Sequence, residues 1–400
     1  MRSEFGSTKN EHSAIETDRR PKVSDATLRD SAHMAGLEFT PDGASAIARV
    51  LRDIGVDLVE VGIVSAGKSA DEPLISAVHR AIGPECSLSL IMVRQRRQVG
   101  EALAEARRLG CRSVMLSLPT SREHAQLKLG SASLRHLVGL AGAAIDQAKS
   151  HGFHVTFSGE DAARAETDRL HEYVSACFAA GADRFRLAET VSSLTPWQCG
   201  EIVAGLRGID ASKEIEVHCH NMLGMAVANS IAAYEAGADW ISATANGIGE
   251  RGGNTPLAEL LCAFRVLYQD RRYDLSHLTA LNTKVERATG LQAPFTPGPL
   301  SPHAFAYELP GQLAHPTAYE SIAPEEVGTR RTLRVRSRIT PALLRWALGD
   351  DGSGVDADEF LGWLRDNQRK PGAQLLDQPA LRRMADEFAS SVDHDDATVR

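Results

Sequence analysis

The feature that most constrains the fold of this chain is a regular alternation of two kinds of segment between about residues 22 and 250. Short runs rich in apolar and β-branched residues alternate with longer amphipathic stretches, several of which end in a glycine that suits a helix C-cap. The runs predict eight strands: Val23–Leu28, Leu58–Val64, Leu88–Val93, Ser113–Leu118, His154–Ser158, Arg184–Ala188, Ile215–His220 and Trp240–Ala245. Eight strands that alternate with helices over about 250 residues favour an α/β fold, a (β/α)8 barrel. The alternative is a doubly wound sheet, but no Gly-x-Gly-x-x-Gly follows the first run, which argues against its dinucleotide-binding form.

The composition of the 400 residues excludes several classes of protein. The net charge of −8 gives no indication of binding to nucleic acid or an anionic membrane, and no apolar stretch approaches the roughly 20 residues that span a bilayer. The N-terminus lacks the apolar segment of a secretory signal. The six cysteines are scattered without Cys-x-x-Cys spacing, which is typical of reduced thiols. We therefore expect a cytoplasmic protein without nucleic-acid or membrane partners.

Composition also changes along the chain and predicts its domain organisation. Six prolines between positions 294 and 316 are typical of an extended, ordered linker or lid. After them, three segments predict helices: Pro341–Leu348, Asp356–Asn367 and Pro379–Phe388. The predicted organisation is a disordered tail (1–20), a catalytic barrel domain (21–275), a proline-rich linker or lid (276–330), a small helical C-terminal subdomain (331–392) and a tail (393–400).

The motif His218-Cys219-His220, at the end of the seventh predicted strand, carries the most chemical information. Residues i and i+2 of a strand point to the same face, so the two imidazoles project side by side while Cys219 turns away. Two neutral imidazoles that converge at a strand end can hold a divalent metal ion. Taken alone, the motif is explained equally well by two polar residues on a strand rim.

Polar side chains at the carboxyl ends of all eight predicted strands favour the metal site. In a (β/α)8 barrel these ends meet at one rim, where active sites lie. Any one of the residues could belong to a solvated loop, but convergence from every strand is harder to explain in that way. The candidates for the site are Arg29, Asp30, His33, Glu60, Arg94, His124, Ser158, Glu160, Thr190, His218, His220 and Asn254.

Four motifs in the chain resemble those of the DRE-TIM metallolyase superfamily. They are Asp25-Ala-Thr-Leu-Arg-Asp30, Glu60-Val-Gly, His218-Cys-His-Asn221 and Gly247-Ile-Gly-Glu-Arg-Gly-Gly-Asn254. Within the superfamily, the chain is most similar to the Claisen-condensing branch, the homocitrate and 2-isopropylmalate synthases. The segment Ser158-Gly-Glu-Asp-Ala-Ala-Arg164 is similar to homocitrate synthase of the nitrogen-fixation type. The resemblance runs from about residue 22 to 270 and continues more weakly beyond.

The resemblance implies an acyltransferase that condenses acetyl-CoA, or a close acyl-CoA, with a 2-oxo acid chelated by a metal ion. It implies one divalent ion (Mg, Mn, Co or Zn) bound by Asp30, His218 and His220, with Asn254 as a nearby or direct fourth ligand. Such a ligand set leaves open positions where a 2-oxo acid can chelate. Family members also pack across a dimer, so we expect a homodimer.

The resemblance assigns roles to the other candidates as well. Arg29, held by Glu60, would stabilise the alkoxide that develops on the keto oxygen. Thr190 would hydrogen-bond to the carboxylate of the 2-oxo acid. The remaining rim residues are expected to contact substrate or, for Glu160, to take part in catalysis: Ser158, Glu160, Arg94 and His124.

Departures from the family pattern leave the general base open. Gln312 stands where condensing enzymes have a histidine, and Arg331 stands where they have a partner tyrosine. Gln312 cannot act as a base, and the residues that could replace it are His33, His303, His315, Tyr307 or Glu160 alone. Of these, His33 lies three residues from Asp30 and resembles the basic histidine of the related 4-hydroxy-2-oxoacid aldolases. We therefore expect His33, assisted by Glu160, to carry the proton transfer. The same feature supports an alternative function, a metal-dependent aldolase or lyase acting on a 2-oxo acid.

Overall fold

The computed structural model describes residues 20–34, 36–291, 298–307, 312, 315–334, 341–348, 355–367 and 375–398. Apart from Arg20, the predicted N-terminal tail lies outside these ranges. Backbone contacts divide the chain into two compact units, residues 1–260 with 287–290 and residues 261–286 with 291–400. No helix within the ranges above combines the length and the apolar character that crossing a bilayer requires.

The first unit is built on a closed barrel of eight parallel strands. The strands are β1 (Lys22–Asp25), β2 (Leu58–Ile63), β3 (Ser87–Met92), β4 (Ser113–Pro119), β5 (His154–Glu160), β6 (Arg184–Glu189), β7 (Glu214–Cys219) and β8 (Trp240–Ala243). Neighbouring strands pair in chain order, and β1 pairs with β8 to close the barrel. The predicted (β/α)8 barrel is therefore confirmed.

The end of the first predicted strand is wrong, because β1 ends at Asp25 rather than at Leu28. The Asp25 carboxylate accepts a hydrogen bond from the Thr27 backbone N–H (3.0 Å), and Thr27 Oγ1 accepts one from the Ala245 N–H (2.8 Å). These bonds turn the chain into a single buried helical turn, α1 (Thr27–Asp30). Arg29 and Asp30 therefore lie on a helical turn and not on an extended strand.

Helices follow the strands around the barrel. In the first unit they are α2 (Pro41–Ile54), α3 (Glu72–Ile82), α4 (Arg96–Arg108), α5 (Arg122–Leu129), α6 (Leu134–Ser150), α7 (Thr167–Ala179), α8 (Pro196–Arg207) and α9 (Ala226–Glu235). The helix α10 (Leu257–Tyr268) begins in the first unit and continues into the second, which also contains most of α11 (Leu278–Thr289). The bounds of α2 follow from its sequence. Thr40 caps the N-terminus by accepting a bond from the Gly43 N–H, Pro41 occupies the first turn, and Gly55 ends the helix with a φ of 92°.

The inside of the barrel has an apolar part and a charged part. The apolar part is a buried cluster of Leu58, Leu88, Leu90, Met115 and Trp240. The charged part contains Glu60, Arg186 and Glu216, all of which are almost completely buried. These charged residues lie on β2, β6 and β7, strands that also carry or lead into candidate site residues. They therefore form a fixed network of charges next to the site.

The second unit combines helices with a small sheet that the sequence pattern did not predict. The strands β9 (Ala306–Tyr307), β10 (Thr332–Arg334) and β11 (Leu375–Asp377) form this sheet in the order β11-β10-β9. The helices are α12 (Pro341–Leu348), α13 (Ala357–Asn367) and α14 (Gln378–Thr398), and they correspond to the three predicted segments. The last helix continues past residue 393, where the tail was predicted to begin. The apolar core of this unit includes Leu344, Phe360, Leu364, Leu381 and Phe388.

Candidate active site

A cavity of about 260 Å³ lies at the carboxyl ends of the barrel strands. Nine of the candidate residues line it: Arg29, Asp30, His33, His124, Ser158, Glu160, Thr190, His218 and His220. Glu60 and Asn254 lie within hydrogen-bond distance of lining residues. Arg94 is exposed and does not line the cavity. The fold therefore brings all but one of the candidates to one place.

Three of these residues form a cluster with the geometry of a metal site. One ligand atom from each of Asp30, His218 and His220 lies within 4.8 Å of the others, and all three residues are buried. Asp30 Oδ1 is 3.9 Å from His218 Nε2. The turn α1 contributes the carboxylate, and the end of β7 contributes the two imidazoles. A carboxylate and two imidazole nitrogens at this spacing are a ligand set for a divalent cation.

The orientation of both imidazoles is set by neighbouring side chains. His218 Nδ1 is 3.0 Å from Ser242 Oγ, which donates in turn to Glu60 Oε1 (3.3 Å). In this arrangement Nδ1 carries the proton, so the lone pair on His218 Nε2 faces the cluster. Arg251 Nη2 lies 2.9 Å from His220 Nε2, on the side of this ring.

Asn254, in the loop after β8, adds a fourth polar group to the cluster. Its Nδ2 is 3.2 Å from His218 Nε2 and 3.4 Å from His220 Nδ1. The amide oxygen of Asn254 and Asp30 Oδ2 are buried and have no hydrogen-bond partner in the described part of the chain. A buried oxygen without a partner is costly, so a cation would satisfy acceptors that the chain alone leaves unpaired. The residues therefore fit a divalent metal ion.

The backbone approaches this cluster at a glycine. A Cβ atom on Gly249 would lie 1.6 Å from Asn254 Oδ1 and 3.2 Å from Asp30 Oδ2. Real Cβ atoms do not come so close to other atoms, so any side chain here would displace Asn254. Gly249 is the member of the glycine-rich Gly247–Gly253 segment whose missing side chain is required by the candidate metal site itself.

Arg29 connects the metal cluster to a buried network of charges. It donates to Asp30 Oδ1 (2.5 Å) and, through Nε and Nη2, to Glu60 Oε2 (2.8 and 2.6 Å). Arg186 donates to both oxygens of Glu60 (3.0 and 2.5 Å) and to Glu216 (2.7 Å). Two guanidinium groups therefore share one carboxylate, and this fixes the orientation of Arg29 at the cavity wall.

Burial and neighbouring charges set the protonation states of the cluster. Burial opposes ionisation of Asp30, but the Arg29 guanidinium and the two imidazoles outweigh it and lower the pKa of Asp30 to about 2. Burial likewise opposes ionisation of Glu60, yet its arginine partners lower its pKa. Burial also lowers the pKa of His218 and of His220. At neutral pH the cluster thus presents a charged carboxylate and two neutral imidazoles, the state that binds a cation.

Glu160, at the end of β5, receives two donors on one oxygen atom. His124 Nδ1 is 2.7 Å from Glu160 Oε1, and Lys128 Nζ donates to the same oxygen. Both donors lie on α5, the helix that follows β4. All three side chains line the cavity.

The other candidates differ in how firmly they are held. His33 is exposed at the cavity wall, and Asp30, His33 and Glu250 form a second group with metal-ligand spacing. Thr190 Oγ1 accepts a hydrogen bond from the Asp161 backbone N–H (2.9 Å). Ser158 is buried at the cavity wall.

The two substitutions noted after the barrel lie in the second unit. Arg331 donates through Nε and Nη2 to the two oxygens of Glu320 (2.9 and 2.6 Å), and the Tyr307 hydroxyl also donates to Glu320 (2.7 Å). Arg331 is therefore an ion-paired residue within its own unit. Gln312 is half-buried.

Among the residues of the site that the sequence analysis did not select are four that hydrogen-bond to candidate residues: Lys128, Arg186, Ser242 and Arg251. Two of them could have been found from their spacing in the sequence. Lys128 follows His124 by four residues, which places both on one helical face, and Arg186 lies on the same strand face as Thr190 by period two. Arg251 lies within the motif Gly247–Asn254, but neither it nor Ser242 could be assigned its contact from the sequence, because both contacts depend on how β8 and its loop pack beside β7.

Comparison with known proteins gives the family. Residues 20–285 match the family model described as HMGL-like. A 2-isopropylmalate synthase from Caldanaerobacter subterraneus subsp. tengcongensis is 33% identical over 368 residues, which cover 90% of this chain and 93% of that protein. A 2-phosphonomethylmalate synthase from Streptomyces rubellomurinus is 34% identical over 339 residues, covering 82% and 88%. A homocitrate synthase from Methanopyrus kandleri is 34% identical over 316 residues, covering 78% of each chain.

Solved structures are similar to the barrel at lower sequence identity. A hydroxymethylglutaryl-CoA lyase from Brucella melitensis has a TM-score of 0.60 at 14% identity and covers 68% of this chain and 100% of its own. The corresponding lyase from Pseudomonas aeruginosa also has a TM-score of 0.60 at 14% identity, covering 69% and 95%. At this identity the likeness concerns the fold alone. The synthase relatives and the family model together confirm the predicted resemblance to the Claisen-condensing branch of the DRE-TIM superfamily, and the chain belongs to the HMGL-like family.

Proposed function

We propose that this chain is a divalent-metal-dependent acyltransferase that condenses acetyl-CoA, or a close acyl-CoA, with a 2-oxo acid. The observation that carries the proposal is the buried cluster of Asp30, His218 and His220 beside Arg29 in one cavity. The synthase relatives support the Claisen type of reaction. The alternative aldolase or lyase has less support, because the lyases above share only the fold.

Asp30, His218, His220 and the Asn254 amide oxygen would hold one Mg, Mn, Co or Zn ion. When bound, such an ion acts as a Lewis acid toward the keto group of the 2-oxo acid. Arg29 lies against Asp30, so its guanidinium would place fixed positive charge beside the developing alkoxide.

Other residues of the chain would orient the two substrates. We propose that Thr190 binds the carboxylate of the 2-oxo acid, and that Ser158 and His124, both at the cavity wall, contact the rest of that substrate. Arg94 lies outside the cavity lining, so its proposed partner is a part of a substrate that extends beyond the cavity.

Condensation requires a proton to leave the acetyl methyl group. The electron pair of the C–H bond forms the new bond to the keto carbon, and the keto oxygen becomes an alkoxide that Arg29 stabilises and that then takes up a proton. We propose that His33 accepts the methyl proton with assistance from Glu160, since both line the cavity. Hydrolysis of the thioester then releases CoA thiol and a 2-hydroxy-2-carboxymethyl acid.

The proposal also covers the cellular location, the partners and the oligomeric state of the protein. The six cysteines, all within the described residues, form no disulfide bond, which supports the proposal of a reducing, cytoplasmic setting. Small-molecule substrates account for the site, and we propose no nucleic-acid or membrane partner. The proposed assembly is a homodimer.

Release of CoA thiol from acetyl-CoA tests the function. The assay takes a panel of 2-oxo acids with apolar, carboxylate and phosphonate side chains, with protein that is metal-loaded or stripped by a chelator. We expect thiol release with at least one acid, loss of that activity on stripping, and loss of bound metal in His218→Ala. His136→Ala, an exposed residue on α6, is the matched control and should retain metal.

Two results would contradict the proposal. One is stripped protein that keeps full activity without added metal. The other is cleavage of 2-hydroxy or 4-hydroxy-2-oxo acids without any thiol release from acyl-CoA, which would favour the lyase or aldolase.

A further inference from the structure

Glu160 is held through one of its two carboxylate oxygens. Within the described residues, both hydrogen bonds to this side chain end on Oε1, one from His124 (2.7 Å) and one from Lys128. Oε2 is therefore the oxygen left to accept a proton. We infer that Lys128 is a positioning residue for Glu160, which it holds in the orientation required for proton transfer; this inference rests on the proposed function.

The topology of the barrel explains why Lys128 reaches Glu160. Strands β4 and β5 pair in register up to Pro119 opposite Glu160, so α5 begins beside the end of β5. Ser121 caps α5 by accepting a hydrogen bond from the His124 N–H (3.2 Å), and its hydroxyl donates to Asp161 Oδ2 (2.5 Å). The first turn of α5 is thus tied to the residue that follows Glu160.

Helical spacing then brings two donors to the same carboxylate. His124 and Lys128 are four residues apart on α5, so both side chains lie on one face of the helix. Leu127, their neighbour in sequence, is 78% exposed, as expected for a residue on another face. The pattern His-x-x-x-Lys on α5 therefore supplies both donors to Glu160 once the pairing of β4 with β5 has placed the helix beside it.

Partial burial makes the Lys128–Glu160 pair more effective than a surface ion pair. The side chain of Glu160 is 13% exposed and that of Lys128 is 30% exposed. Charges are less screened there than in open solvent, so the attraction between the ammonium group and the carboxylate is stronger. Without Lys128, one donor remains on Oε1, and the carboxylate gains rotational freedom about its terminal torsion.

Lys128 has a second conceivable role, direct binding of an acidic group on the substrate. Its ion pair with Glu160 favours the positioning role, because the carboxylate already neutralises its charge. The two roles differ in their kinetic effect. A positioning residue changes kcat, whereas a binding residue changes KM for the 2-oxo acid.

The test is a double-mutant cycle with two single-site controls. A displacement of about 1 Å at a reacting group can cost on the order of 100-fold, so we expect Lys128→Met to lower kcat by about 10- to 100-fold. KM for the 2-oxo acid and the bound metal should not change, and Lys128→Arg should restore most of kcat. In the Glu160→Gln background, Lys128→Met should have no further effect, because Lys128 acts through Glu160.

Lys149→Met is the matched control. It removes a comparable ion pair, Lys149–Asp183 (2.7 Å), from residues that do not line the cavity, and kcat should be unchanged. The inference is overturned if Lys128→Met keeps the wild-type kcat, if it raises only KM for the 2-oxo acid, or if its effect adds to that of Glu160→Gln.

A crystal structure of the Lys128→Met variant gives a reading that does not depend on activity. We expect the Glu160 carboxylate to rotate or to occupy more than one orientation, and an unchanged carboxylate would overturn the inference. Absence of thiol release by the wild-type protein would instead count against the proposed function, and the crystal structure would still decide whether Lys128 orients Glu160.

Discussion

His33 and Glu160 both line the cavity, but the protein holds them in different ways. His33 is exposed on the short 3-10 turn Ser31–His33 that follows α1, whereas Glu160 is held by two donors from α5. A base must reach the substrate proton, and an exposed imidazole beside Asp30 can do so from the turn that carries the metal ligand. The position of His33 therefore supports its proposed role as the base.

The first prediction concerns this base. His33→Ala should lower kcat by the roughly 10²–10⁴-fold typical of losing a general base, and it should leave the metal content unchanged. Gln312→Ala should cost much less, because an amide has no basic nitrogen. Steady-state kinetics and metal analysis of both variants measure this. The opposite ranking would mean that the residues after the barrel still carry the chemistry.

Asp25 provides a second prediction at the residue scale, on stability. Burial raises the pKa of Asp25 from 3.8 to about 7, and its Oδ2 lacks a hydrogen-bond partner in the described part of the chain. Between these two pH values the folded protein binds more protons than the unfolded chain. The stabilising contribution is therefore fully present below about pH 4 and is lost as the pH rises through 7.

Replacing the Asp25 carboxyl group should remove its contribution to the pH dependence of the free energy of unfolding. Asp25→Asn keeps an oxygen for the Thr27 N–H and cannot ionise, so its unfolding free energy relative to wild type should increase by up to about 4 kcal/mol between pH 4 and pH 8. Denaturant titrations at several pH values measure the difference. Asp53→Asn, at an exposed position, is the control, and parallel pH curves for wild type and Asp25→Asn would contradict the prediction.

At the scale of elements, the metal site depends on a turn and a loop at neighbouring strand ends. The turn α1 contributes Asp30, and the loop after β8 contributes Asn254, which forms an isolated β-bridge with His220. Gly249 allows this loop to pass directly over the cluster. The loop is therefore expected to act as one wall of the metal site.

The third prediction tests this loop. In Gly249→Ala the new methyl group would overlap Asn254 Oδ1, so the loop must shift away from Asp30 and metal affinity should fall by at least tenfold. Isothermal titration with Mn²⁺ measures the affinity. Gly139→Ala is the control, because nothing lies within 4 Å of a Cβ at that helical position, and it should leave affinity unchanged. Equal affinities in both variants would show that the loop does not shape the site.

At the scale of the whole molecule, the expected assembly is a homodimer. The second unit has a small apolar core, and Tyr319 in this unit is 62% exposed. In the family that the chain resembles, segments after the barrel pack across a dimer. We therefore expect the region of residues 303–320 to approach the barrel of a partner.

The fourth prediction follows from that assembly. Sedimentation equilibrium at micromolar concentration should give twice the chain mass of 43.1 kDa. Tyr319→Asp should weaken the dimer, because it places a charge on an exposed apolar surface that association would bury. Wild-type protein that sediments as a monomer and retains full activity would contradict both expectations.

The amino-acid sequence by itself determined the barrel, the eight strand positions and the pair His218 and His220. These features depend on local regularities. Strand alternation of period two, amphipathic helices and glycine caps are each visible within about ten residues. The rule that the carboxyl ends of parallel strands meet at one rim then predicts where the site lies. The motifs that resemble a known family added the role of metal ligand for Asp30 and Asn254, which the strand-end rule had placed only among the polar residues at the rim.

Only the tertiary structure decided how these residues are held. The carboxylate of Asp25 ended β1 early and placed Arg29 and Asp30 on a helical turn, and packing inside the barrel gave Glu60 a second arginine, Arg186. The contact of Lys128 with Glu160 likewise needed the register of β4 against β5. Contacts between distant segments depend on the relative placement of whole elements, and that placement follows from packing of the entire barrel rather than from any one stretch of sequence.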